Sequence, residues 1–276
     1  MFEYEVKIAL GIAEQAMAVC ADFELQNHHI EFKQEDQTPV TELDKKLNIL
    51  INNLIAKYFP ADALLGEETG FQPGTNDRVW MVDPLDGTKD FIKGTGEWAI
   101  QIGLCQGGEP IVGVVAWPEK KLIFYASKGA GCFIKNEKGN IEILKVRPNN
   151  STQAIRMLVS RSRKEPIVEK FMSGRDNVKT TQMGSIGVKV ANICLGNADV
   201  YLNASGLCSL WDTCAPELIL REAGGRFCDF NGSSIHYDAI LSKGGNFKLV
   251  APFVAVAGSF SNEILSWAKS QEEQCL

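Results

Sequence analysis

The chain has 276 residues, is 45% hydrophobic, and carries a net charge of −6 with a pI of about 5.3. That length suits one large domain or two small ones, and the apolar share fills a core. The acidic balance, with no basic stripe, excludes polymeric nucleic acid and anionic membrane as standing partners; binding a phosphate then needs local Lys/Arg or a metal.

Eight cysteines (20, 105, 132, 194, 208, 214, 228 and 275) contain no C-x-x-C pair, which leaves zinc and thioredoxin-like sites unsignalled. Most sit in apolar runs as small core residues, as suits a reducing compartment, so a cytoplasmic location is expected. The first ten residues carry acids and no basic region, unlike a signal peptide. The longest apolar run, 249–257, is too short to span a bilayer, and the penultimate Cys275 is misplaced for prenylation.

Residues 2–23 repeat Val6, Ala9, Leu10, Ala13, Ala16, Met17, Cys20 and Phe23 at helical spacing. Residues 26–39 are polar loop with room for a short hairpin. A second helix starts at Thr41, with Leu43, Leu47, Leu50, Ile51, Leu54, Ile55 and Tyr58 as its buried stripe, and stops before Pro60. Strands follow at 63–65 and 78–82, then a meander at 99–105, 111–117 and 122–126 with strands near 132–135 and 141–146. Composition changes at Arg147-Pro148-Asn149-Asn150-Ser151, which predicts two units, 1–147 and 148–276. The first reads as α+β, helices plus a mostly antiparallel sheet. The second reads as α/β, with strands at 157–160, 200–202, 227–229 and 254–257. Its helices are expected at 165–172, 185–195, 212–223 and 261–269.

The chemistry concentrates in Trp80-Met81-Val82-Asp83-Pro84-Leu85-Asp86-Gly87-Thr88-Lys89-Asp90. Asp83 ends an apolar strand and Asp86 follows one tight turn later. Two carboxylates this close repel unless a cation lies between them, and Mg²⁺ takes a few carboxylates plus water and phosphate. The Leu85 carbonyl faces the same turn. Gly87, Thr88 and Lys89 offer free N–H groups at a helix start, an anion site. Further acids are Glu67-Glu68 between glycines, Asp212 at a helix start where a simple cap is an equal reading, and Asp44 at capping-box spacing from Thr41. His28, His29 and His236 are the only histidines, and no H-E-x-x-H, G-x-S-x-G or Walker A sequence occurs. Carboxylates and metal remain for catalysis.

Four ordered motifs then carry a resemblance. Pro39-Val40-Thr41-Glu42-Leu43-Asp44, Gly66-Glu67-Glu68, Asp83-Pro84-Leu85-Asp86-Gly87-Thr88, and Trp211-Asp212-Thr213 ending at Gly224-Gly225 resemble the signatures of the inositol monophosphatase superfamily. The resemblance implies an α-β-α-β-α layered fold and a Mg²⁺-dependent, lithium-sensitive phosphomonoesterase using two or three ions, with Mn²⁺ as a substitute. By motif match, Glu67, Asp83 and the Leu85 carbonyl hold one metal, and Asp83, Asp86 and Asp212 a second. Glu67 helps a third through water. Thr88 and Asp44 orient and deprotonate the attacking water, and the Gly87 and Thr88 N–H groups hold phosphate.

Within the superfamily, the stretch from Tyr201 to Glu217 is similar to 3′(2′),5′-bisphosphate nucleotidases. Ser205 stands where inositol monophosphatases place a Glu that binds inositol, and a hydroxyl cannot replace that ionised acceptor. Ser160-Arg161-Ser162 and Gly184-Ser185 with Lys189 also resemble the nucleotidase pattern, which implies contacts from Gly184, Ser185 and Lys189 to the nucleotide. Arg163 replaces the usual His, and its guanidinium can stack on adenine. The implied substrate is 3′-phosphoadenosine 5′-phosphate (adenosine 3′,5′-bisphosphate), a product of sulfate assimilation. Alternatives are an inositol or sugar monophosphatase, including fructose-1,6-bisphosphatase, and a non-catalytic metal- or nucleotide-binding protein. A haloacid-dehalogenase mechanism needs acids at i and i+2, and here they stand at i and i+3. The long apolar meander strands permit a homodimer or a buried core equally.

Overall fold

The computed structural model describes residues 2–23, 30–33, 37–146, 154–204, 208–241, 247–249 and 251–272. Helix α1 (Glu3–Ala21) precedes a hairpin of β1 (Ile30–Phe32) and β2 (Pro39–Thr41), and α2 (Glu42–Tyr58) follows directly. Next come β3 (Ala63–Gly66), β4 (Gly70–Gln72), β5 (Arg78–Asp86), the short α3 (Thr88–Ile92), β6 (Ala99–Gln106), β7 (Glu109–Trp117), β8 (Leu122–Ser127), β9 (Gly131–Asn136) and β10 (Ile141–Leu144). These strands form one sheet in the order β10-β9-β8-β7-β6-β5-β3-β4, antiparallel except where β3 meets β5.

The remainder is β11 (Ile155–Ser160), α4 (Pro166–Met172), β12 (Val178–Met183), α5 (Ile186–Cys194), β13 (Val200–Asn203), β14 (Cys208–Ser209), α6 (Leu210–Glu222), β15 (Arg226–Asp229), α7 (Tyr237–Leu241), β16 (Lys248–Leu249), β17 (Phe253–Val256) and α8 (Ser261–Glu272). A second sheet runs β12-β11-β13-β17-β15, parallel across β12-β11-β13 and antiparallel beyond.

Strand alternation explains the layers. Along β6, Ile100, Ile102 and Leu104 face α1 and α2 with Trp80, Val112 and Val114. Ala99 and Cys105 face the other way, against α5 and α6, whose far side meets Tyr201, Phe227 and Phe253 of the second sheet. The outer face of that sheet packs Val200, Leu202, Val254 and Val256 on Phe171 of α4 and Ile264 of α8. The result is the α-β-α-β-α layering. Gly103 and Gly113 let α6 lie hard on the first sheet: a Cβ there would stand 2.6 Å from Cys214 Sγ and 2.7 Å from the Ala215 carbonyl oxygen. That contact fixes the start of α6, and with it Asp212.

Three expectations change in detail. Tyr58 ends the α2 stripe but is 39% exposed, because the helix stops there. Strand β5 continues through Asp83 to Asp86 rather than ending at Val82. Helix α6 starts two residues before Asp212. The proposed boundary at 147–151 lies outside the described residues, as do His28, His29, Ser205 and Cys275. No helix among the described residues is long and apolar enough to cross a membrane.

Candidate active site

A β-bulge builds the central acid pair. Asp83 pairs with Gln101 and Asp86 with Ala99, so Pro84 and Leu85 together oppose the single residue Ile100. The extra residue leaves the ladder and bends the strand. Asp83 closes the bulge by accepting the Leu85 N–H at 2.9 Å. Gly87, at φ +101, then turns the chain into α3 in a conformation open to glycine. A Cβ there would also stand 3.0 Å from the Glu97 carbonyl oxygen.

Asp86 is held from three sides. Its Oδ2 accepts from Gln101 Nε2 at 2.5 Å, Ser185 Oγ at 2.5 Å and the Gly187 N–H at 2.8 Å. Asp44 serves two masters. One oxygen accepts the N–H (2.8 Å) and hydroxyl of Thr41, completing the capping box of α2, and the other accepts the Thr88 hydroxyl at 3.0 Å. The Thr88 hydroxyl also reaches the Leu85 carbonyl at 3.2 Å. The sequence spacing thus identifies Asp44 as a cap, and the fold adds a hydrogen-bonded link to the central motif.

Asp212 is the third residue of α6 and forms a capping box with Ser209, whose N–H it accepts at 2.7 Å. Glu67 leaves the end of β3 and pairs with Lys33, whose ammonium lies 2.7 Å from both Glu67 and Glu68. The charges of Glu67, Asp86 and Asp212 all bear on Asp83, so these acids from separate segments act on one another.

The charges report this crowding. Burial, then the Glu67, Asp86 and Asp212 charges, push Asp83 well above the usual carboxylate range. Burial and the charge of Asp86 push Asp212 up to about 7. Asp86 is raised by burial, against the opposing Ser185 and Gly187 hydrogen bonds. Asp44 and Glu67 are raised, in each case first by burial. Burial works against Lys33, yet Glu67 and Glu68 keep it firmly protonated.

Among the described residues no three such side chains already form a metal cage. The donor set still fits a hard divalent cation: Glu67, Asp83, Asp86 and Asp212 with the Leu85 carbonyl are all oxygen ligands. Acids that lean on one another and hold their protons tightly are an arrangement that positive charge would relieve.

The second half contributes two groups. Ser185, 1% exposed, caps α5 through the Val188 N–H, and Lys189, 2% exposed, donates to the Gly184 carbonyl. The Lys189 ammonium lies 4.6 Å from the Tyr201 ring centroid. Both side chains are buried and act on Asp86, Ser185 by its hydrogen bond and Lys189 by its charge, so they brace that carboxylate. Ser160 and Arg163 instead line a hollow of about 240 Å³ with Glu165, Thr180 and Gln182.

Sequence reading missed Gln101 and Lys33, and it quoted Arg161 within Ser160-Arg161-Ser162 without giving it a role. A lone amide in the apolar strand around Gln101 was the available signal. Arg161 clamps Asp90 at 2.9 Å and Glu97 at 2.5 Å, and Glu97 in turn accepts the Gly184 N–H at 3.0 Å.

The sequence model of the inositol monophosphatase family matches residues 2–263. The chain is 31% identical over 210 residues to a 3′(2′),5′-bisphosphate nucleotidase CysQ of Salmonella typhimurium, covering 74% of this chain and 82% of that protein. It is 29% identical over 232 residues to a histidinol-phosphatase of Mycobacterium tuberculosis, covering 83% and 88%. Among solved structures, an IMPase/NADP phosphatase complexed with Mg²⁺ and phosphate superposes with a TM-score of 0.76 at 20% identity, covering 94% and 93%. With the model spanning nearly the whole sequence and the layers matching, the chain belongs to the inositol monophosphatase family of phosphatases.

Proposed function

We propose that this phosphatase is a Mg²⁺-dependent 3′(2′),5′-bisphosphate nucleotidase, which hydrolyses the 3′-phosphate of 3′-phosphoadenosine 5′-phosphate to leave AMP and phosphate. The observation that carries the reading is the hollow lined in part by Ser160 and Arg163, with apolar surface from Val159, Val168 and Met172 and a guanidinium suited to stacking on a nucleobase. The 31% identity to a CysQ nucleotidase supports it.

Glu67, Asp83, Asp86, Asp212 and the Leu85 carbonyl would hold the Mg²⁺, which when bound supplies positive charge to the phosphate and the leaving oxygen. The chain's own residues do the rest. Gly87 and Thr88 present N–H groups to the phosphate oxygens. The Thr88 hydroxyl orients the attacking water and passes its proton to Asp44, whose burial raises its proton affinity toward that of a useful base. Gln101, Ser185 and Lys189 keep Asp86 in place. Arg163 and Ser160 receive the nucleoside.

Phosphate release, with and without Mg²⁺, from 3′-phosphoadenosine 5′-phosphate, inositol 1-phosphate, histidinol phosphate and fructose 1,6-bisphosphate tests the reading. A tenfold or greater preference for the nucleotide in kcat/KM, about 1.4 kcal/mol, is expected. Preference for any other substrate overturns the nucleotidase assignment and leaves the acid cluster standing.

A further inference from the structure

Arg161 ties α3 to the segment that braces Asp86. It follows β11 directly, and its N–H donates to the Met183 carbonyl at the end of β12 at 3.2 Å. Its guanidinium reaches two acids of the first half: Nε donates to Asp90 Oδ1 at 2.9 Å and Nη2 to Glu97 Oε2 at 2.5 Å. Asp90 lies in α3, two residues after Thr88, and is 4% exposed. Glu97 holds the brace: its carboxylate accepts the Gly184 N–H at 3.0 Å, and its carbonyl accepts the Ser185 N–H at 3.2 Å. Ser185 in turn donates to Asp86. A Cβ on Gly184 would stand 2.2 Å from Asp90 Oδ2, so Asp90 also lies directly against the brace segment.

The residue type matters. Asp90 and Glu97 are like charges that the guanidinium holds together, and they would repel without it. A planar fork serves two carboxylates at once with directed N–H bonds, which the compact ammonium of a lysine does less well.

We propose that Arg161 is a positioning residue for phosphate-ester hydrolysis. By holding Asp90 and Glu97 together it sets the placement of Thr88 through α3 and of Asp86 through Ser185. This rests on the roles proposed for Thr88 and Asp86, and not on which phosphate ester is the substrate. Small misplacements of such groups are expressed in turnover, because the transition state demands the tighter geometry.

The test measures kcat and KM with Mg²⁺ on the four phosphate esters named above, with urea midpoints alongside. Arg161→Ala is expected to lower kcat by roughly 10–100-fold, the usual effect of removing a group behind a ligand, with KM within about threefold of wild type. Arg161→Lys should recover part of the loss, and millimolar guanidinium ion should raise kcat of Arg161→Ala while leaving the wild type unchanged. Arg156 is the control: it grips buried Asp199 at 2.7 Å near the other end of β11. Arg156→Ala should lower the urea midpoint without changing kcat. Wild-type kcat in Arg161→Ala, or an equal loss of kcat in Arg156→Ala, overturns the inference. If Arg161→Ala does not fold, Asp90→Asn and Glu97→Gln each weaken one arm and should each lower kcat several-fold; wild-type kcat in both overturns it. Asp86→Asn separates the two readings. Where that variant is inactive, wild-type kcat in Arg161→Ala removes the inference alone. Full activity in Asp86→Asn, or no turnover of any of the four esters by the wild type, removes the proposed roles and the inference together.

Discussion

Replacing Ser185 by Ala removes two bonds that meet at one oxygen. The hydroxyl donates to Asp86 Oδ2 at 2.5 Å and accepts the Val188 N–H at 3.0 Å as the cap of α5. Losing the cap costs about 1 kcal/mol. Losing a donor to a buried carboxylate costs about 1.5–3 kcal/mol, toward the low end here because Gln101 and Gly187 still serve the same oxygen. The sum is about 2–3 kcal/mol, or roughly 4–12 °C in Tm for a chain of this size. Urea denaturation in a chelator measures it, with the slope checked for constancy. In an Asp86→Ala background only the cap remains to be lost, so the same substitution should cost about 1 kcal/mol. The cycle then gives a coupling of about 1–2 kcal/mol. Apparent Mg²⁺ affinity should fall by roughly 10–100-fold, the usual effect of removing a partner behind a ligand. A coupling within about 0.3 kcal/mol of zero would refute the claim that Ser185 braces Asp86.

Asp83→Asn should lower kcat/KM by roughly 100-fold or more, while the metal-free protein unfolds at the same or a higher urea concentration, since repulsion from Glu67, Asp86 and Asp212 is relieved. Wild-type activity in that variant would sink the metal assignment. Glu217 makes stability pH-dependent. It is fully buried, accepts the Tyr237 hydroxyl at 2.7 Å, and is pushed by burial from 4.5 to about 7. The folded state therefore holds this proton more tightly than the unfolded chain. Its contribution is unpenalised below about pH 4.5, falls as pH rises toward 7, and levels off above that at a loss of about 3 kcal/mol. Glu217→Gln should flatten that decline in urea midpoints between pH 4.5 and 8; parallel profiles for the two proteins would show that the group does not titrate as described.

The regular elements and the acids were legible because each leaves a local signal. The helical stripes of α1 and α2 and the two-residue alternation of β6 to β8 reflect faces that must be buried, so the pattern survives in one dimension. Strand β12, Val-Lys-Thr-Thr-Gln-Met, escaped because it is an exposed edge with no apolar face to repeat. Asp44 was readable as a cap from its distance to Thr41, but its bond to Thr88 joins residues 44 positions apart and leaves no spacing to read.

The sequence by itself determined which residues can do chemistry: scarce histidine, no nucleophile motif, and acids beside Gly87 and Thr88. It also determined most helices and strands, since burial periodicity and capping act between near neighbours. Only the tertiary structure decided how those acids stand. The bulge at Pro84-Leu85 depends on pairing with β6, and the brace on Asp86 comes from Ser185 and Gly187, 99 and 101 residues away. It also buried the Lys189 side chain and left one buried oxygen of Glu165 without a hydrogen-bond partner among the described residues. The physical reason is that a carboxylate's proton affinity and direction are set by the burial, charges and donors around it, and folding brings these from segments that spacing does not relate.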